Sequence, residues 1–488
     1  MIGRAEKGML MTSVELTEGL DTQIPPVGAR GCRVAGERPA SVGRSHPQRV
    51  ALAQKLLCFA ALAGLAMLLI GCRAPAAAPY DVAADHRFRR TEAPVISSPV
   101  AWDWNEDGAK EIAVGSWDGY FYVLDAELED APGWPIRSRQ GFFSSPALAD
   151  LDRDGEMEIV VGSDRGLLYA WHHDGSSASG FPVDLGYEIW SSPTVLEGPL
   201  LAVGGKERMF LIAGDGESAP GWPQPMSGWA DATAATDGRV LTITSLTTGD
   251  SSRGWVTAWT VAGEQLPGFP KTLARDSDSS PALARFDQDG QWWIVFGDDA
   301  GYLHVLDTQG REREGFPVRT RGVVSGPTPT PHPPGGDVHS IEASPAVADF
   351  SGDGSLAIVV GGWDGRLYVW DDAGQPLPGW PVQVQDQIIS SAALVDLDGD
   401  DVLDIIVGSK DGHLYGWSAE AEPLPGFPRD LGTHVFSSPW VGDLDSNGLA
   451  DIVVGADNGI HLLRDVGPLG RRAWPMFHRD PQHTGAVP

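Results

Sequence analysis

Acidic residues recur at one spacing in four segments: Asp103, Asn105, Asp107 and Glu111; Asp150, Asp152, Asp154 and Glu158; Asp396, Asp398, Asp400 and Asp404; Asp443, Asp445, Asn447 and Asp451. Oxygen donors at loop positions 1, 3, 5 and 9, with no thiol or imidazole among them, suit a hard divalent cation, for which calcium (Ca2+) is the natural candidate. A helix-loop-helix calcium site would carry a bidentate Glu at position 12. That position holds Val114, Val161, Val407 and Val454, each inside an apolar, strand-like run. The segments therefore read as loop-to-strand sites for about four cations. Asp-Gly turns chosen only for tight backbone geometry explain Asp118-Gly119 and Asp364-Gly365, but not a carboxylate that recurs at position 9. Position 6 is Gly in three loops and Asp401 in the other, where a positive φ would strain the turn.

The elements that must hold these loops repeat with them. Gly-aromatic-Pro recurs at Trp134, Phe181, Trp222, Phe269, Phe316, Trp380 and Phe427, and Trp474-Pro475 reads as an eighth copy. The step is 47 residues in five of seven intervals, with one of 41 and one of 64 that contains the Pro/Gly-rich insertion Arg321 to Ser340. A second marker opens the units at Ser98-Pro99, Ser145-Pro146, Ser192-Pro193, Ser280-Pro281, Ser344-Pro345, Ser391-Ala392 and Ser438-Pro439, with a degraded version near Ala232. Each unit reads as four short strands. In the second these are Pro146 to Ala149, Glu158 to Gly162, Leu167 to Trp171 and Phe181 to Val183, joined by the acidic loop and Gly-rich turns. With 61 Gly, 38 Pro and 18 Trp and no sustained helical periodicity after residue 72, the chain is expected to be all-β. The expected fold is an eight-bladed β-propeller of four-stranded antiparallel blades, with a seven-bladed ring closed by a split blade as the alternative.

The motifs Asp150-Leu-Asp-Arg-Asp-Gly155 followed by Ile159-Val-Val-Gly162, and Asp396-Leu-Asp-Gly-Asp400 followed by Ile405-Ile-Val-Gly408, resemble FG-GAP repeats, also called VCBS repeats. They are similar to the calcium loops of the integrin α-subunit propeller, over nearly all of residues 91 to 480. The resemblance implies fold and ion rather than a particular partner. If the ring closes, units 7, 8, 1 and 2 are neighbours, so the four intact loops share one arc. Unit 6 keeps Asp349 and Asp353 but has Ser351 and Ala357, and unit 5 keeps Asp287 and Asp289 but has Arg285 and Trp293.

Upstream, Leu56 to Ile70 is apolar, follows Arg49 and Lys55, and is shorter than the roughly 20 residues a membrane span needs. It reads as the core of a signal peptide. Leu69-Ile-Gly-Cys72 resembles a bacterial lipobox, which implies cleavage before Cys72 and a lipid on its sulfur. The expected organisation is a leader (1–49) that suggests a start site assigned too early, a signal peptide (50–71), a tether (72–90) and the propeller (91–488). Cys32 and Cys58 precede the cleavage point, so Cys72 would have no disulfide partner. Loss of the leader and signal leaves 27 basic against 61 acidic residues, a formal charge of −34, which argues against nucleic acid and anionic lipid headgroups.

Trp117 and Trp363 stand before Asp-Gly turns at equivalent positions in units 1 and 6, where exposed rings would stack on sugars or anchor a protein. Packing between blades is the alternative. His172, His173, His478 and His483 read as solvated or capping residues. No Gly-x-Ser-x-Gly, His-Glu-x-x-His or Gly-x-x-x-x-Gly-Lys motif is present, and no catalytic residue is assigned. The expectation is a monomeric, exported, lipid-anchored module that binds an extracytoplasmic protein or glycan through the insertion and units 3 to 5. The alternatives are a carbohydrate lyase or hydrolase on a calcium-stabilised propeller, and a scaffold of an envelope assembly complex.

Overall fold

The computed structural model describes residues 85–138, 140–246, 253–286, 290–322 and 339–487. The leader, the signal peptide, Cys72, Asp287, Asp289 and residues 323–338 of the insertion lie outside the described residues.

Among the described residues there are strands and no helix. The second unit shows why. Its strands Ala147–Ala149, Glu158–Gly162, Leu167–Trp171 and Val183–Asp184 pair antiparallel in chain order. Every residue of Glu158–Gly162 is buried. Side chains alternate between the two faces of a strand, so Ile159 and Val161 join the core shared with the first unit, while Val160 joins Leu201 and Val203 of the third. A run buried on both faces has no polar side, which is why these strands read as continuous apolar segments.

Eight such units follow one another, with inner strands Val100–Trp102, Ala147–Ala149, Thr194–Leu196, Ala235–Thr236, Ala282–Ala284, Ala346–Asp349, Ala393–Val395 and Trp440–Gly442. Units 3 and 4 run on as one ladder where Trp229 meets Leu246. The last unit is split. Leu449–Ala456 and Gly459–Pro468 continue it, and its outermost strand is His86–Arg90, from the opposite end of the chain. The tether expected over residues 72–90 is corrected accordingly: its last five residues are a blade strand.

The Ser-Ser-Pro marker has a separate task for each hydroxyl. The first serine stays within its blade, where Ser97, Ser144, Ser191, Ser279 and Ser390 accept from the amides of Gly115, Gly162, Gly204, Gly297 and Gly408. The second joins neighbouring blades. The amides of Ser98, Ser145, Ser192, Thr233, Ser280, Ser344, Ser391 and Ser438 each donate to the next hydroxyl in that order, and Ser438 returns to Ser98 at 3.0 Å. Thr233 thus does the work of the degraded marker near Ala232.

Gly-aromatic-Pro ties blades at the outer side. The Trp134, Trp222 and Trp380 indoles donate to the carbonyls of His173, Val261 and Ala419 in the following blade, at 2.8, 2.9 and 2.9 Å. The glycine is needed for the approach, since a Cβ on Gly180 would lie 2.0 Å from the Asp215 carbonyl oxygen. All seven copies have a cis peptide before the proline. Trp474-Pro475 is not among them, which corrects its reading as an eighth copy.

Trp474 belongs instead to a tail that fills the channel. Arg472–Trp474 pairs with the inner strand of blade 7, and the carbonyls of Pro475, Pro481, Gln482, Thr484 and Gly485 accept from Val441, Leu148, Val195, Thr236 and Leu283 on the inner strands of blades 8, 2, 3, 4 and 5. His478 Nε2 meets the Pro281 carbonyl at 2.8 Å and His483 Nδ1 the Pro193 carbonyl at 3.0 Å. Both histidines are fully buried, and burial holds both below the usual imidazole range. The solvated or capping role expected for them is corrected. Trp474 is 1% exposed, so Trp474→Ala should cost about 3–5 kcal/mol, read as a shift in urea midpoint. A loss below about 1 kcal/mol would mean that the tail is peripheral to stability.

Candidate functional site

The acidic loops leave the far end of each inner strand and are first organised by their own backbone. The position 1 carboxylates of Asp103, Asp150, Asp396 and Asp443 accept from the amides of Gly108, Gly155, Asp401 and Gly448 at position 6. The position 9 carboxylates of Glu111, Glu158, Asp404 and Asp451 accept from Trp104, Leu151, Leu397 and Leu444 at position 2. Asp401 has a φ of 66°, the left-handed conformation that favours the glycine found in the other loops.

The loops then diverge. Asp150, Asp152 and Asp154 gather ligand atoms within 4.8 Å of one another, as do Asp152, Glu158 and His172, Asp396, Asp398 and Asp404, and Asp443, Asp445 and Asp451. Buried Asp150 Oδ1 and Glu158 Oε1 accept no hydrogen bond, although His172 Nδ1 lies 3.1 Å from the latter. The second and third loops have a donor set that fits a hard cation. In the first loop Asn105 Nδ2 donates to Glu111 Oε1 at 2.8 Å, and Asp103, Asp107 and Glu111 form no such trio. In the fourth, the Arg464 guanidinium bonds Asp445 and lies 3.9 Å from Asp451 Oδ1, while Asn447 turns its amide to Asp465. A built-in cation already offsets part of the charge of that loop. Desolvation raises the proton affinity of Glu111, Glu158 and Asp451; for Asp404, burial followed by the charges of Asp398, Asp396 and Asp400 pushes the pKa up to about 8.

A second constellation lies at the near end of the inner strands, and the sequence reading missed it. The residue two positions before the ring-forming hydroxyl is half-buried in every blade: Ile96, Phe143, Trp190, Asp231, Asp278, Glu342, Ile389 and Phe436. Since the hydroxyls form a closed ring, these side chains rim one mouth of the channel. Blades 7, 8, 1, 2 and 3 supply apolar and aromatic residues, and blades 4, 5 and 6 supply carboxylates. Phe143 stacks on Trp190 at 5.4 Å, Trp190 continues to Trp229 at 5.7 Å, and Trp117 meets Phe143 at 6.3 Å. On the acidic side Asp278, Asp299 and Glu342 hold ligand atoms within 4.8 Å of one another. Burial foremost, then their mutual charges, raise Asp231, Asp278, Asp299 and Glu342 well above the carboxylate range. Aligning the residue before each Ser-Ser would have exposed the change from aromatic to acid.

Beside the mouth, Trp117, Asp118, Arg137, Ser138, Gln140 and Asp164 line a cleft of about 740 Å³. Trp117 is 44% exposed, and Trp363 is half-buried against Glu342. Burial, then the charge of Glu188, raises Asp164 to about 6.

No protein-family model matches the chain, and no curated protein does. Solved structures do. The Dos1 propeller is 13% identical with a TM-score of 0.52, over 80% of this chain and 96% of that one. The V. cholerae biofilm matrix protein Bap1 is 13% identical with a TM-score of 0.53, over 83% and 96%. A europium-containing methanol dehydrogenase is 13% identical with a TM-score of 0.55, over 78% and 93%. At such identity the likeness shows fold alone, and that fold is the all-β propeller.

The raised pKa of Asp404 gives the loops a testable sign. Its contribution to stability is intact below about pH 4 and is lost as pH rises through about 8 in metal-free protein. With EDTA, Asp404→Asn should melt above the wild type at pH 8 by more than about 1 kcal/mol, and the gap should close toward pH 4. In millimolar calcium the order should reverse, because the ligand must be ionised. Equal melting in all conditions would exclude an ion at this loop.

Proposed function

We propose that the chain is an extracytoplasmic binding module that takes a glycan at the mouth of its channel, with calcium held by its acidic loops. The observation that carries this reading is the division of the mouth into an aromatic arc and a facing carboxylate arc. Aromatic faces stack on the C–H faces of sugar rings, and carboxylates accept from hydroxyl groups, so one ligand class uses both halves. Trp117 and the adjoining cleft extend that surface, and Trp363 backs it. The fold supports a binding role in general, since propellers present loops on a rigid ring. The resemblance of the loops to FG-GAP repeats supports calcium as the ion, with the second and third loops as the best donor sets.

The signal-like segment and Cys72 support export and a lipid anchor, with the module held at the cell envelope. A carbohydrate-active enzyme is the second reading, and the mouth favours it in one respect. Carboxyls with raised proton affinity, as the mouth has, supply the general acid of glycosidic catalysis.

A glycan array followed by titration tests the module. Trp190→Ala should weaken binding about 2- to 12-fold, the loss of one stacked ring. An unchanged affinity would remove the mouth from the interaction, and release of shortened saccharides during the incubation would select the enzyme. Cys72→Ala should move the protein from the membrane to the soluble fraction, and retention on the membrane would refute the anchor.

A further inference from the structure

The acidic half of the mouth has more carboxyl groups than a sugar site requires. Asp278, Asp299 and Glu342 come from three different loops, yet their ligand atoms lie within 4.8 Å of one another. That is the span across a cation with oxygens at about 2.4 Å on opposite sides. Asp276 adds an independent observation. It is 3% exposed, its carboxyl bonds Asp299, and its Oδ1 is buried without a hydrogen-bond partner. Asp278 Oδ1 is likewise buried and unpartnered. A desolvated carboxylate oxygen with nothing to bond costs on the order of 1–3 kcal/mol or more, so two of them beside the carboxyls of Asp299 and Glu342 call for a charge between them.

Elsewhere the fold sets one of its own cations beside such groups, as it does Arg464 beside Asp445 and Asp451. Lys410 acts on Glu342, but its ammonium is bound to Gln387 at 2.9 Å.

We propose that Asp276, Asp278, Asp299 and Glu342 hold a divalent cation of calcium type at the channel mouth, separate from the loop sites at the other end of the strands. All donors are carboxylate oxygens, which selects a hard ion over zinc or copper. A calcium-type ion takes about six to eight oxygens, so four carboxyls giving one oxygen each leave positions that hydroxyl oxygens of a ligand would complete. That last role rests on the reading of the mouth as a glycan site; the ion itself does not.

The experiment is ion binding by the full chain after chelator treatment, without any saccharide. Calorimetry with calcium gives the stoichiometry, and terbium luminescence excited through tryptophan reports the mouth, because Trp363 lies against Glu342. Glu342→Gln should bind one calcium fewer than the wild type, while Asp398→Asn, in the third loop, should leave the Trp363-sensitised phase intact. An unchanged stoichiometry in Glu342→Gln would overturn the site. Should that variant not fold, Trp363→Phe decides: it should keep the calcium stoichiometry and lose one saturable phase of terbium emission, and unaltered emission would overturn the site. Failure of glycan binding with this ion present would refute the ligand reading alone.

Discussion

The inner ring of hydroxyl-to-amide bonds is the constraint on which the rest of the structure depends. Each inner strand begins at a buried hydroxyl that the neighbouring blade must reach, from Ser98 round to Ser438 and back. A blade cannot move outward without leaving a buried amide unpaired, at a cost of about 1–3 kcal/mol. The ring therefore holds the starts of all inner strands at one level, and everything positioned relative to those starts inherits the same geometry. The mouth residues lie two positions before the hydroxyl and the acidic loops a few residues after it, so one bond pattern positions both constellations.

Closure has two further parts, each drawn from a chain end. The strand His86–Arg90 completes the last blade, and the tail after Pro468 occupies the channel with main-chain bonds to inner strands on nearly all sides. The tail satisfies buried amides such as those of Leu148 and Val195 that would otherwise face an empty channel.

Much of this was legible in sequence because repetition multiplies a weak signal. The strands of the second unit were placed to within a residue or two by apolar runs and Gly turns, and the two markers proved to be the inner and outer ties between blades. What could not be read was whatever depends on a partner distant in the chain. Arg464 in the fourth acidic loop comes from the next strand, and nothing in the spacing of Asp443, Asp445 and Asp451 announces it. The tail misled for the same reason: Trp474-Pro475 has the dipeptide of the repeat but pairs with blade 7 as an added strand. The mouth acids were overlooked because attention to acids at one spacing hides acids that stand in for aromatics at another.

The two ends of the ring divide their charge in a complementary way. Blades 7, 8, 1 and 2 have carboxylate-rich loops at one end and Ile389, Phe436, Ile96 and Phe143 at the mouth. Blades 4, 5 and 6 have lost the full loop pattern but carry Asp231, Asp278 and Glu342 at the mouth. Within a blade the inner strand is only two to four residues long, roughly 7–13 Å at 3.3 Å per residue, so acids at both ends would repel through a poorly screened interior. Keeping the four full loops and the mouth acids on different arcs lengthens most such paths, with blade 6, which has Asp349, Asp353 and Glu342, as an exception. The same division sets aromatic rings against carboxylates across the mouth, so the electrostatic requirement of the ring and the two-sided character of its opening have a common origin.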